Sequence, residues 1–145
     1  MATFSESDVH ASRREFGGHK FFLVIGIILS GLSVVLGAFG AHALKKVAPP
    51  DAIATYQTGV QYQMFHAIAI LLVGVLAEKY ANSFVHYSGI LFLLGIVLFS
   101  GSLYVIVASV AHQFSLPKII NLITPVGGLF FILGWVLLLA GVLKK

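Results

Sequence analysis

The sequence predicts an all-α fold, a polytopic membrane protein whose four transmembrane helices pack tightly into a left-handed bundle. Three observations carry that prediction. Of 145 residues, 59% are apolar and only 10% are charged, far from the balance of a soluble domain. The charges fall between apolar runs that reach the roughly 20 residues needed to cross about 30 Å of hydrocarbon. Small residues recur seven apart in every run: Gly26, Ser33, Gly40; Ala67, Gly74, Ala81; Ser88, Gly95, Ser102, Ser109; and Gly127, Gly134, Gly141. A spacing of two turns draws each series as a stripe on one helix face. Lipid is as apolar as leucine, so helices in a bilayer associate where small residues let backbones approach.

Residues 1–19 read as a polar cytoplasmic tail and residues 20–145 as the membrane domain, with spans at 21–43, 62–79, 86–111 and 119–143. Ser12-Arg13-Arg14-Glu15-Phe16 has the outline of a twin-arginine export signal, and Ala41-His42-Ala43 the small-x-small form of a signal-peptidase site. Gly17-Gly18 stands where that signal prefers Leu-Lys, and the following run exceeds the roughly 7 to 15 residues of a signal h-region. The first span is therefore predicted to be retained. Lys20 opens it, and Gly37 with Ala41 adds a small-xxx-small pair. Pro49-Pro50-Asp51 stops it, with Asp51 the expected N-cap of the next helix.

Residues 51–61 mix Ile53, Tyr56 and Val60 with Thr55, Gln57, Thr58 and Gln61, the pattern of an interfacial lead-in helix with Gly59 as a bend point. Tyr62 is expected at the aromatic belt. The short polar turn from Glu78 to Ser83 makes spans two and three an antiparallel hairpin. Pro117 separates span three from span four, which Asn121, Thr124 and Pro125 open, the proline in the first turn where its missing N–H costs little. Trp135 lies too deep for a belt residue and is expected to pack on neighbours or lipid.

An internal repeat shows at an offset of 70: residues 28–42 and 98–112 share Ser30/Ser100, Gly31/Gly101, Val35/Val105, Ala38/Ala108, Ala41/Ala111 and His42/His112. Span two echoes span four in the same way. The pattern is that of a two-plus-two parallel repeat, with span one pairing with two and three with four. Arg13, Arg14, Lys20, Lys79, Lys144 and Lys145 fall on one side of this topology and Lys45, Lys46 and Lys118 on the other. That bias puts both termini in the cytoplasm of a bacterial inner membrane.

The absence of cysteine excludes disulfides, thiolate metal sites, iron–sulfur clusters and thiol nucleophiles. A net charge of +4 spread around membrane segments makes no nucleic-acid groove. No Asp, Glu, Lys or Arg sits in the middle of a span, which argues against ion-coupled transport and proton relays. No catalytic group, metal site or resident cofactor is implied, and the reading is non-enzymatic. A polar set remains, placed by this topology in the outer leaflet: His42, Tyr62, Gln63, His66, Ser102, Tyr104 and Thr124 are the candidate ligand-binding residues. One reading makes His42 and His66 axial ligands of a haem between spans one and two. The other has His66 donating a hydrogen bond across the bundle while His42 meets water and headgroups. Ser100-Gly101-Ser102 with Tyr104 reads chiefly as packing, Gly101 admitting a neighbouring helix.

Five blocks carry a resemblance: Gly37-Ala38-Phe39-Gly40-Ala41-His42; Thr58-Gly59-Val60-Gln61-Tyr62-Gln63-Met64-Phe65-His66; Leu98-Phe99-Ser100-Gly101-Ser102-Leu103-Tyr104; Ile123-Thr124-Pro125-Val126-Gly127-Gly128; and Gly134-Trp135. From about residue 20 onward the chain resembles the YgdD/YwdK type of small inner-membrane protein, a family catalogued as a domain of unknown function. The resemblance implies a four-span bacterial inner-membrane protein and no assigned activity. The functional expectation is an accessory or assembly subunit of a larger membrane complex, with other membrane subunits or a second copy, and the lipid bilayer, as partners. The alternatives are a binder or carrier of a haem, quinone or lipid in an outer-leaflet pocket, and a small uncharged-solute channel lined by Ser102.

Overall fold

The computed structural model describes residues 6–144, with side chains from residue 18 onward. It consists of helices joined by short connections, with no strand among the described residues. Helix α1 runs Glu6–His42, α2 Pro50–Lys79, α3 Ser83–His112 and α4 Ile120–Leu143. All four are long and apolar enough to cross a membrane, α1 over its Gly18–Lys46 portion together with the short 3-10 turn Leu44–Lys46. The first five residues of the expected tail, and the side chains of the Arg13-Arg14 pair, lie outside the described part of the chain. From Glu6 the backbone is already helical and continuous with the span.

Local chemistry sets the helix ends. Asp51 is not the N-cap of α2: Pro49 takes that place and Pro50 is the first helical residue, where its missing N–H has no partner to lose. Asp51 sits in the first turn, its carboxylate against the positive end of the helix dipole. The 51–61 segment and the second span form one helix that runs through Gly59 without a break. Asn82 caps α3 by accepting from the Phe84 and Val85 N–H groups at 3.1 and 3.2 Å. Its Nδ2 donates to the Gly141 carbonyl at 2.9 Å, fastening the start of α3 to the end of α4. Gln113, at φ 58°, closes α3 in a left-handed conformation. Pro125 lies five residues beyond Ile120, in the helix interior, so the Asn121 carbonyl four residues back receives no helical N–H.

The stripes of small residues are the contact lines. In the α1–α2 pair, a Cβ on Gly26 would come within 2.7 Å of Leu71, on Gly40 within 2.7 Å of Tyr56, and on Gly74 within 2.9 Å of Leu23. In the α3–α4 pair, it would come within 2.6 Å of Phe92 from Gly134 and 2.7 Å of Val85 from Gly141. On Gly95 it would overlap the Phe131 ring, and on Gly127 the Phe99 backbone. Ser33, Ala67, Ser88 and Ser102 are buried on the same lines. Ala81 falls past the end of α2 and is exposed.

The pairing of span one with two and of three with four is the observed one, and α2 also packs on α3. The central core is Phe22, Ile70, Val73, Val85, Phe92, Ile96, Phe131 and Leu138. A parallel two-fold repeat would also bring α4 against α1 as α2 lies against α3, but α1 and α4 do not pack on one another. The result is a central α2–α3 pair with α1 flanking α2 and α4 flanking α3. Midway along α3, residues Ile96–Ser100 form a π-turn. Its backbone at Leu98 and Phe99 lies against Gly127 of α4, so close that a Cβ there would overlap main-chain atoms.

Candidate functional site at the centre of the helices

Tyr62, His66, Phe99, Phe131 and Trp135 each lie within about four residues, or roughly 6 Å of rise, of the midpoint of their helices. Tyr62, expected at the aromatic belt, thus lies near the middle of α2 rather than at its end. His66 is the centre of this group. Its ring stacks on Phe131 at 3.5 Å between centroids and 10° between planes, with Phe92 and Tyr62 at 5.6 and 6.0 Å. Nδ1 lies 2.8 Å from the Tyr62 carbonyl of its own helix, an acceptor only, so Nδ1 carries the proton. Nε2 accepts from the Trp135 indole N–H at 3.3 Å. Both ring nitrogens of the neutral imidazole are therefore engaged, one within α2 and one across to α4.

That arrangement corrects both readings of His66. It donates within its own helix and accepts across the bundle, and it has no lone pair left for an iron. His42, the other proposed ligand, is exposed at the end of α1, level with Tyr56 through the Gly40 contact. His66 lies ten residues further along α2, about 15 Å away. The structure does not bring the two together.

Gln63 joins three helices. Its Nε2 donates to the Leu29 carbonyl of α1 at 3.1 Å, and its Oε1 accepts from the Tyr104 hydroxyl of α3 at 2.9 Å. Tyr56 repeats the link to α1, donating to the Leu36 carbonyl at 3.1 Å, and its ring lies 5.1 Å from that of Tyr104. Ser102 and Thr124 form a second polar contact between α3 and α4. The Ser102 hydroxyl donates to the Phe99 carbonyl at 2.8 Å and lies 2.7 Å from Thr124 Oγ1, so these groups spend their hydrogen bonds on one another. The seven candidate residues therefore separate into the His66–Tyr62 centre, the Gln63–Tyr104 bridge, the Ser102–Thr124 pair, and an isolated His42.

The aromatic half of the site, Phe92, Phe99 and Phe131, was not singled out in the sequence, where these rings look like any other residue of an apolar run. Trp135 carried a signal, its depth, and it both reaches a neighbour and remains half-exposed. Along its outer edge the cluster forms a groove of about 600 Å³, lined by Tyr62, His66, Phe99, Pro125, Phe131 and Trp135 among others. Among the described residues, no group of three His, Asp or Glu side chains is placed to hold a metal ion.

Over residues 36–128 the chain matches the family described as protein of unknown function DUF423. The chain belongs to that family. Its relatives include the UPF0382 membrane protein YwdK of Bacillus subtilis (strain 168), 41% identical over 86% of this chain and 98% of the relative. The UPF0382 inner membrane protein YgdD of Escherichia coli (strain K12) is 38% identical over 86% of this chain and 91% of its own length. The UPF0382 membrane protein SAB0533 of Staphylococcus aureus is 34% identical over 86% and 97%. No solved structure matches. The blocks around Gly40, His66, Ser102 and Gly127 fall inside the matched region, whereas Phe131 and Trp135 of the central cluster lie beyond its end.

Proposed function

We propose that this family member is a non-enzymatic accessory or assembly subunit of a larger membrane complex, lying in a bacterial inner membrane with both termini in the cytoplasm. The observation that carries the reading is the contrast between two classes of glycine. Those of the stripes are filled by a neighbouring helix, whereas Gly31 on α1 and Gly101 on α3 have nothing within 4 Å of where a Cβ would stand. Gly31 lies on an outward face with Val24, Ile28 and Val35, all exposed. Such a face lets the backbone of another transmembrane helix approach. The connections, residues 47–49, 80–82 and 113–119, are too short to present a folded domain to either side. The polar side chains of Gln63, His66, Ser102, Tyr104 and Thr124 are spent on internal bonds, which favours action through helix faces over reaction chemistry.

The test is affinity purification from native membranes in a mild detergent, with cross-linking and mass spectrometry. The expected result is an integral membrane protein that co-purifies with the wild-type chain and is lost in Gly31→Leu, while the unfolding midpoint of the variant stays unchanged. A lone monomer with no cross-linked partner overturns the reading.

A further inference from the structure

We infer that the groove beside His66 binds a neutral, membrane-soluble molecule of the quinone class, with the Tyr62 hydroxyl donating to a ring carbonyl. This is independent of the subunit role. The groove exists because α2 and α4 have no backbone-to-backbone interface: rings bridge the space, Phe131 against His66 and Trp135 onto Nε2. Its volume of about 600 Å³ falls within the range of small-molecule sites. The rings lie at low angles to one another: Tyr62 is 33° from Phe99 at 4.7 Å, 23° from His66 at 6.0 Å and 33° from Phe131 at 6.1 Å, and His66 stacks on Phe131 in nearly parallel planes.

One polar group in this wall is unspent. His66 and Trp135 satisfy each other, but the Tyr62 hydroxyl has no hydrogen-bond partner among the described residues, and its side chain opens to the groove. In hydrocarbon there is no water to take that proton, and an unmade bond there is costly. Depth selects the partner. Tyr62 lies about 4 Å of helix rise from the middle of α2, whereas the ester and phosphate oxygens of phospholipids lie beyond the edge of the core, about 15 Å from the midplane. An acyl chain can fill the groove but brings no acceptor to this level. A carbonyl on a flat, uncharged ring can dissolve in the core, stack on the aromatic wall and accept from Tyr62.

Trp135 is the chain's only tryptophan and lines the groove, so it reports directly. The experiment titrates the full chain in phospholipid nanodiscs with menaquinone-4, whose ring quenches indole emission, using the ring-free isoprenoid alcohol phytol as the control. The expected result is saturable quenching absent with phytol, with half-saturation raised about five- to tenfold in Tyr62→Phe, the loss of one hydrogen bond in an apolar site. Gly128→Leu, whose Cβ would meet only Phe99 at 3.7 Å, fills the groove and removes the saturable component. Unchanged unfolding midpoints show that both variants fold. Quenching that rises linearly with quinone, or is the same in Tyr62→Phe and Gly128→Leu, overturns the proposal. So does quenching by brominated acyl chains that menaquinone-4 does not relieve, which would assign the groove to lipid.

Discussion

Two serines of α3 stand two positions apart in opposite hydrogen-bonding states. Ser100 is fully buried with an unpartnered hydroxyl, while Ser102 donates to the Phe99 carbonyl and meets Thr124. Removing an unpaired hydroxyl loses no bond, so Ser100→Ala should leave stability unchanged or raise it by up to about 1 kcal/mol. Ser102→Ala should cost about 1 kcal/mol, the usual worth of an interhelical bond in a bilayer. SDS-induced unfolding of the purified chain in mixed micelles measures both. Gln63→Leu should be costlier, about 2 kcal/mol by the same assay, because it breaks links to two helices and leaves the Tyr104 hydroxyl unpaired. At this scale the sequence marked the polar residues within apolar runs but not what each one meets. Tyr62, Gln63 and His66 were visible as polar groups in an apolar run. That Gln63 bridges while Tyr62 keeps a free hydroxyl depends on a backbone carbonyl at Leu29 and a ring at Phe99, and neither leaves a mark in composition.

At the scale of the helix, the seven-residue stripes located most of the tight glycine contacts, Gly59 against Tyr104 and Gly89 against Phe22 being the exceptions, because small residues let helices approach in lipid. Gly127→Ala should destabilise by about 3 kcal/mol or prevent folding, since the new methyl would overlap the Phe99 main chain rather than a side chain that can turn aside. Gly31→Ala and Gly101→Ala, in open surroundings, should leave the unfolding midpoint unchanged or slightly raised. Measuring the three together separates packing glycines from exposed ones. The repeat also acquires physical content: Ser30 and Ser100 both carry buried hydroxyls without partners, and Gly31 and Gly101 are both unfilled. These two pairs at an offset of 70 thus share those features, one member on each of the helices that flank α2. Other features were not legible. Ile96-Val97-Leu98-Phe99-Ser100 contains nothing that distinguishes a π-turn from α-helix, because that turn is selected by the fit of α4 against it. Pro125 reads as a first-turn residue from the polar residues beside it, but with α4 beginning at Ile120, one residue from the predicted start of the span, the proline falls beyond the first turn.

For the whole molecule, the distribution of Lys and Arg makes a topological prediction that the absence of cysteine renders simple to check. Val47→Cys, in the exposed connection after α1, should react with a membrane-impermeant maleimide in spheroplasts. Ala81→Cys, exposed at the opposite end, should react only after permeabilisation. The reverse labelling pattern would invert the orientation. The architecture of successive antiparallel hairpins was readable from span lengths and turns, whereas the open α1 flank was not, since repetition in sequence does not require that every equivalent interface form. Asn82 adds an order of events to this architecture. Its cap bonds to Phe84 and Val85 are local and can form once the first hairpin and the start of α3 have left the ribosome, but its bond to the Gly141 carbonyl waits for the last turn of α4. The turn joining the two hairpins is locked only once α4 is in place, so a chain stopped short of that helix carries its own unfastened latch.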